Sequence, residues 1–131
     1  MTSSRRSVYS GSPWELKVAY CRAKRVGNVI VVSGTVSTDD DGELVAPGDV
    51  YGQSRQALRK IEAALRELGA ELRHVVRTRC FLTDMARFDD FARAHAEAFA
   101  GIDPAATAVE VSSLVTADFL VEIEADAIVD D

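Results

Sequence analysis

The sequence is short of most residues that would give a chain of 131 a familiar route to chemistry. It has two cysteines, Cys21 and Cys80, and two histidines, His74 and His95. The cysteines fall on separate predicted strands, and a domain with an adequate core needs no disulfide, so free thiols in a reducing compartment are expected. The histidines lie on different predicted elements. Neither has a Cys or carboxylate partner at ligand spacing, which speaks against a metal centre. No G-x-S-x-G, P-loop or G-x-G-x-x-G segment occurs, so nucleophile-elbow and nucleotide-binding motifs are missing together. No apolar run approaches the roughly 20 residues of a membrane helix. Residues 1–12 are rich in Ser and Arg without an apolar stretch, unlike a secretory signal. They are expected to form a partly ordered tail, and the chain is expected to be cytoplasmic, with neither cofactor nor membrane partner.

Positive charge is also in the minority. Fifteen Lys and Arg stand against 21 Asp and Glu, a formal net charge of −6. Such a chain repels phosphate backbones, so no nucleic-acid partner is expected. Arg5 and Arg6, then Arg22, Lys24 and Arg25, are short clusters expected on a solvated surface.

What is present is a core. Hydrophobic residues make up 47%, enough for one domain of this length. The interior is too small for a deep private site, which brings a site between subunits into view. Residues 18–26 read as a moderately polar strand, closed by the Gly27-Asn28 turn. Val29-Ile30-Val31-Val32 is apolar on both faces, as in a strand covered on two sides. After Ser33-Gly34 and an Asp/Gly turn ending at Gly42, Asp49 is placed to N-cap a helix. Ala57, Leu58, Ile61, Leu65 and Leu68 give that helix its apolar stripe, and Gly69 its stop. Residues 75–82 form a strand with Arg77 and Arg79 on one face. Phe88, Phe91, His95 and Phe99 mark a second helix over about 88–100. Strands at 105–112 and 119–129 close the chain. The order ββαβαββ predicts an α+β fold, a mixed sheet with two helices on one face and the other face left to partners.

Within this frame His95 is expected as a packed, hydrogen-bonded imidazole, His74 as an exposed one, and Cys80 as a small core hydrophobe. The residues that ask for a reason are Glu110, Glu122 and Glu124, because carboxylates are poor strand formers and costly to bury. They pair with Arg77 or Arg79 across the sheet, or one of them lines a pocket and positions a water or an amine.

Five segments taken together resemble the Rid family, also called YjgF/RidA or L-PSP. They are Val26–Gly34 as one stretch of sequence with its Asp/Gly turn; the helix with Gln53, Ala57, Leu58 and Ile61; residues 75–84 with Phe88 and Phe99; Pro104-Ala105 with Val109-Glu110-Val111 and Leu114; and Val121-Glu122-Ile123-Glu124-Ala125. They span about residues 18–129, with residues 1–17 as an N-terminal extension to a single domain over 18–131. The resemblance implies a chorismate-mutase-like fold, a homotrimer with small-molecule clefts between subunits, and hydrolysis of imines or enamines such as 2-aminoacrylate. Carried over, it makes Glu122 the catalytic, water-positioning residue and Tyr20 the aromatic wall. Ser33 and Gly34 match the backbone-contact strand end, and Thr35 stands where glutamine is common. Ala106 occupies the position of the arginine that grips a substrate carboxylate, with Thr107 beside it. Ala108 and Ala86 replace a frequent cysteine and asparagine. The chain thus resembles an arginine-lacking branch, with Arg22 or Arg79 as candidate replacement cations. Two other readings stay open: a metabolite-binding protein without catalysis, and the endoribonuclease or translation-inhibitor role that the family's older name suggests.

Overall fold

A computed structural model describes residues 4–130. Six strands form one sheet in the order β1-β2-β3-β6-β4-β5. They are β1 (Arg5–Val8), β2 (Ala23–Val26), β3 (Val29–Thr35), β4 (Val75–Leu82), β5 (Ala105–Glu110) and β6 (Val121–Ile128). All neighbouring pairs run antiparallel except β4 and β5. That parallel pair needs a crossover, which α3 (Phe88–Phe99) supplies.

The longest helix, α2 (Val50–Glu67), begins where the sequence says it should. The Asp49 side chain accepts the Gly52 N–H, satisfying one of the orphan donors of the first turn. At the other end Gly69 has φ +81°, a conformation in which a side chain is strained. Ala57, Leu58, Ile61, Leu65 and Leu68 are all buried. They pack on Ile30 and Val32 of β3, Val121, Ile123, Ala125 and Ala127 of β6, and Val75, Cys80 and Leu82 of β4. The alternation expected for the last strand is therefore real: Glu122, Glu124 and Asp126 point to the opposite face. On that face Val26, Val29, Val31 and Ile128 are exposed, with Val29 paired to Val26 on one side and Ile128 on the other.

Three expectations are corrected. The N-terminal segment is built into the fold rather than trailing from it: β1 pairs with β2, and α1 (Pro13–Val18) follows. The hydroxyl of Ser12 caps α1, Pro13 opens it, and Ala19 ends it in the left-handed region. This helix takes the start of the predicted first strand, and Cys21 lies outside any strand. Second, the basic clusters are not simply solvated. Arg6 and Arg25 both donate to the Leu68 carbonyl, at 3.1 and 2.7 Å, where cations oppose the negative end of α2. Third, His74 is buried, because its Nδ1 accepts the Glu71 N–H at 3.0 Å and closes a 3₁₀ turn.

Among the described residues no helix is long and apolar enough to cross a membrane, and no group of three or more His, Cys, Asp or Glu is gathered to hold a metal.

Candidate functional site

The site begins at an irregularity. Val32 of β3 pairs with Ala125, and Thr35 with Ile123, so three steps on β3 oppose two on β6. The extra residue makes a β-bulge at Ser33-Gly34, a device that bends a strand and re-aims its side chains. Val32 and Thr35 consequently both face the helices. Thr35 is fully buried, and its hydroxyl donates to the Ser33 carbonyl at 2.7 Å. In this chain that hydroxyl supports the strand end.

Ser33 ties the bulge to the segment after α1. Its N–H donates to the Arg22 carbonyl at 3.0 Å, and its hydroxyl to the Cys21 carbonyl at 2.8 Å. Arg22 returns the contact, donating from Nη2 to the Gly34 carbonyl at 2.6 Å. Its guanidinium also lies 5.9 Å from the centre of the Tyr20 ring. Arg22 is buried, and its Nε has no partner.

Glu122 completes this group. Its carboxylate lies against Gly34 so closely that a Cβ there would overlap Oε2. Glycine leaves room here for the close approach of Glu122, and no backbone angle calls for it. Half-burial raises the Glu122 pKa above the usual carboxylate range; the Arg22 charge opposes this, and Glu124 adds to it. No Arg22–Glu122 ion pair forms within 4 Å, so the carboxylate is attracted without being neutralised by direct contact.

The order of these causes makes a prediction. A carboxylate acting as a base works above its pKa and fails as pH falls through it. Removing the nearby cation in Arg22→Gln raises that pKa further, so ionisation is lost at higher pH than in the parent. A carboxyl-carbon NMR titration of Glu122 should move upward in the variant; an unchanged midpoint would remove Arg22 from the electrostatics of the site.

The other sequence-derived residues fall elsewhere. Arg79 is committed to two carboxylates, Glu124 at 3.3 Å and Asp126 at 3.2 Å, the cross-sheet pairing foreseen for the acidic strands. Glu110 instead accepts the Met85 N–H at 2.8 Å. Ala106 pairs in register with Thr78 of β4, whose side chain is buried beneath the helices, whereas Glu122 pairs with Phe81 on the other face. One chain therefore brings together Tyr20, Arg22, Ser33, Gly34 and Glu122, and leaves Ala106 on the opposite face.

Ala106 and Thr107 belong to a second feature, a cavity of about 400 Å³ between α3 and β5. Its other lining residues are Cys80, Phe88, Phe91, Ala92, His95, Ala96 and Ala108. His95 is hydrogen-bonded as expected, with Nε2 at 2.9 Å from the Thr78 hydroxyl, and Cys80 is buried. Sequence reasoning gave both only core roles. The signal that could have raised more is the polar imidazole on an otherwise apolar helical stripe.

The site is thus a mixed α+β sheet with its long helices on one face and a glutamate laid over a glycine bulge on the other. The family model for Endoribonuclease L-PSP matches residues 14–129, and the chain belongs to that family. A member of the YjgF/YER057c/UK114 family from Mycobacterium tuberculosis is similar with a TM-score of 0.88 at 46% identity, covering 96% of this chain and 100% of its own. The 3-aminoacrylate deaminase RutC of Acinetobacter baylyi is 34% identical over 104 residues, 79% of this chain and 82% of that protein. The 2-iminobutanoate/2-iminopropanoate deaminase of Mus musculus is 33% identical over 109 residues, 83% of this chain and 80% of that one.

Proposed function

We propose that the chain hydrolyses a small imine or enamine to a carbonyl compound and ammonia, with Glu122 as the residue that handles water. The observation that carries this reading is the half-buried Glu122 carboxylate, held against Gly34 beside a buried arginine. A carboxylate with a raised pKa is a stronger base than an ordinary one, which suits it to taking and returning a proton. Glu122 takes a proton from water as the water oxygen bonds to the imine carbon and the C=N electron pair moves to nitrogen, and it returns that proton to the nitrogen to give the carbinolamine. Glu122 then takes the hydroxyl proton of the carbinolamine and passes it to the nitrogen as the C–N bond breaks, so that the carbonyl forms and ammonia leaves. The deaminase names of the two relatives above point to the same class of reaction.

The site is completed by a second copy of the chain. Two observations support this: the exposed Val26, Val29, Val31 and Ile128 on the free face, and the separation of Glu122 from Ala106 within one chain. A homotrimer is the expected assembly, read out as a stable trimer in sedimentation at micromolar concentration.

The test is ammonia release from 2-aminoacrylate generated in situ, alongside imines that lack a carboxylate. Glu122→Gln should lose turnover with the assembly intact; a parental rate in that variant would end the assignment. Ala106 bears on the substrate. A charge-assisted arginine–carboxylate contact is directional, and alanine cannot replace it. The native protein is therefore expected to prefer the carboxylate-free imines, and Ala106→Arg to gain 2-aminoacrylate.

The same missing cation favours the second reading, a metabolite-binding protein without catalysis. A ligand that raises the melting temperature yet is recovered unchanged, with no imine turned over, would establish it. The ribonuclease reading has less support, since His74 closes a turn and His95 is bonded to Thr78, and the chain carries a net charge of −6.

A further inference from the structure

Of the 15 cationic residues only Lys17, Lys24 and Lys60 are lysines, and the rest are arginines. Lys17 is exposed on α1, Lys24 lies half-buried on β2, and Lys60 lies half-buried midway along α2. The Lys60 Nζ donates to the Val36 carbonyl at 2.9 Å and to the Thr38 hydroxyl at 2.6 Å. One turn earlier on α2, the Gln56 Nε2 donates to the Thr38 carbonyl at 3.0 Å. Two side chains of α2 thus hold residues 36–38, the stretch that leaves β3 just beyond the Gly34 bulge.

Neither partner of Lys60 carries a charge, and among the described residues no carboxylate lies within 4 Å of its Nζ. A half-buried ammonium without a direct counter-charge is disfavoured. The neutral amine suits the same place. It still donates to Val36, and the Thr38 hydroxyl can donate as well as accept. Burial pushes the Lys60 pKa down to about 8; the Arg22 charge adds to this, while Asp40 in the turn after β3 and Glu15 of α1 oppose it. At about pH 7.5 such an amine is neutral in about a quarter of molecules, against about one in a thousand for an ordinary lysine. The neutral amine is a nucleophile and the ammonium is not.

We propose that Lys60 is a site of acylation by a small acyl phosphate, and that the modification frees residues 36–38 from α2. The amine nitrogen bonds to the acyl carbon, the C–O bond to phosphate breaks with its electron pair, and the surplus N–H proton leaves with the phosphate. An anionic donor is the fitting class, because the Arg22 charge that disfavours the ammonium attracts a phosphate. The resulting amide has a single N–H, so it cannot donate to both Val36 and Thr38. The proposal uses neither Glu122 nor any imine, and it stands whether or not the chain is a hydrolase.

The experiment treats the full-length protein with acetyl phosphate at a series of pH values and follows each lysine by peptide mass spectrometry. At about pH 7.5 Lys60 should gain acetyl about tenfold faster than Lys17 or Lys24, since the weaker nucleophilicity of a less basic amine offsets part of its larger neutral fraction. The Lys60 rate should level off above about pH 9, while the other two climb on through about pH 10. Acetylation of Lys60 should lower the melting temperature by about 4 °C, the scale of one net hydrogen bond in a domain of this length. Lys60→Arg keeps the donors and has no amine to acylate, so the same treatment should leave its melting temperature unchanged. Labelling of Lys60 no faster than that of Lys17 and Lys24 would overturn the assignment, as would a rate that climbs alongside theirs. A protein acetylated at Lys60 that melts as before, or an equal fall in treated Lys60→Arg, would overturn the release of residues 36–38.

Discussion

Gly34→Ala lowers turnover of an accepted imine by about 10²–10⁴-fold, the scale of losing a general base, while the melting temperature hardly changes. The asymmetry follows from what the new methyl would meet. All three atoms nearest to it belong to the Glu122 side chain, its carboxylate end foremost. A long side chain relieves such an overlap by turning away, which costs the fold little. Gly34 is also absent from the residues with positive φ, so alanine brings no backbone strain. The carboxylate loses its place beside Arg22, and position is what a base contributes. Glu122→Gln reaches the same endpoint differently, keeping volume and losing basicity. If Gly34 acts only through Glu122, the double variant should be no slower than the worse single one, as for residues that work as a unit. Ammonia-release rates for the four proteins complete the cycle. Additive losses would mean that Gly34 has a separate part, and a parental rate in Gly34→Ala would mean that Glu122 need not lie where the bulge holds it.

How far the sequence could reach is decided by the range of each interaction. Asp49 and Gly69 bound α2 correctly because capping and left-handed stops are local. The alternation of Glu122, Ile123 and Glu124 identified the faces of β6 for the same reason. The six residues of α1 were missed although Ser12-Pro13 is a good opening signal, since so short a helix shows no apolar period. Arg5–Val8 carries no alternation either, and becomes a strand only through β2. The burial of Thr35 was not legible, because the bulge breaks the period of two, which nothing in Ser33-Gly34-Thr35 announces. Arg22 read as part of a basic surface, yet the Gly34 carbonyl it serves is twelve residues on. Glu122 was legible through the cost of a carboxylate on a strand, and Gly34 through the family resemblance. The α3–β5 cavity was legible only through the Ala106, Thr107 and Ala108 positions of the family resemblance, because alanines signal by having no side chain to read.

Gln53→Leu lowers stability by about 2–4 kcal/mol, or roughly 10 °C in melting temperature for a domain of this size. Gln53 is fully buried at the start of α2. Its Nε2 donates to the Asp118 carbonyl at 3.0 Å and to the Ala46 carbonyl at 3.3 Å, and its Oε1 accepts the Leu120 N–H at 2.9 Å. One side chain therefore joins the loop before α2 to the segment that enters β6. Leucine of similar volume fills the space but strands the Leu120 N–H and both carbonyls, and unmet buried groups cost about 1–3 kcal/mol each. Gln53→Glu separates the lost hydrogen bonds from lost shape. A carboxylate there can still accept from Leu120, but it faces two carbonyls and is buried, so its folded pKa is raised. Stability lent by the protonated acid is present at low pH and lost as pH rises through that value. Gln53→Glu should thus be less stable at pH 7 than at pH 5, each measured against the parent at the same pH, whereas Gln53→Leu shows no such difference. Because Leu120 directly precedes Val121 and Glu122, both variants should also weaken turnover under conditions where they remain folded. Full activity in folded Gln53→Leu would show that the Glu122 carboxylate is held by the bulge alone.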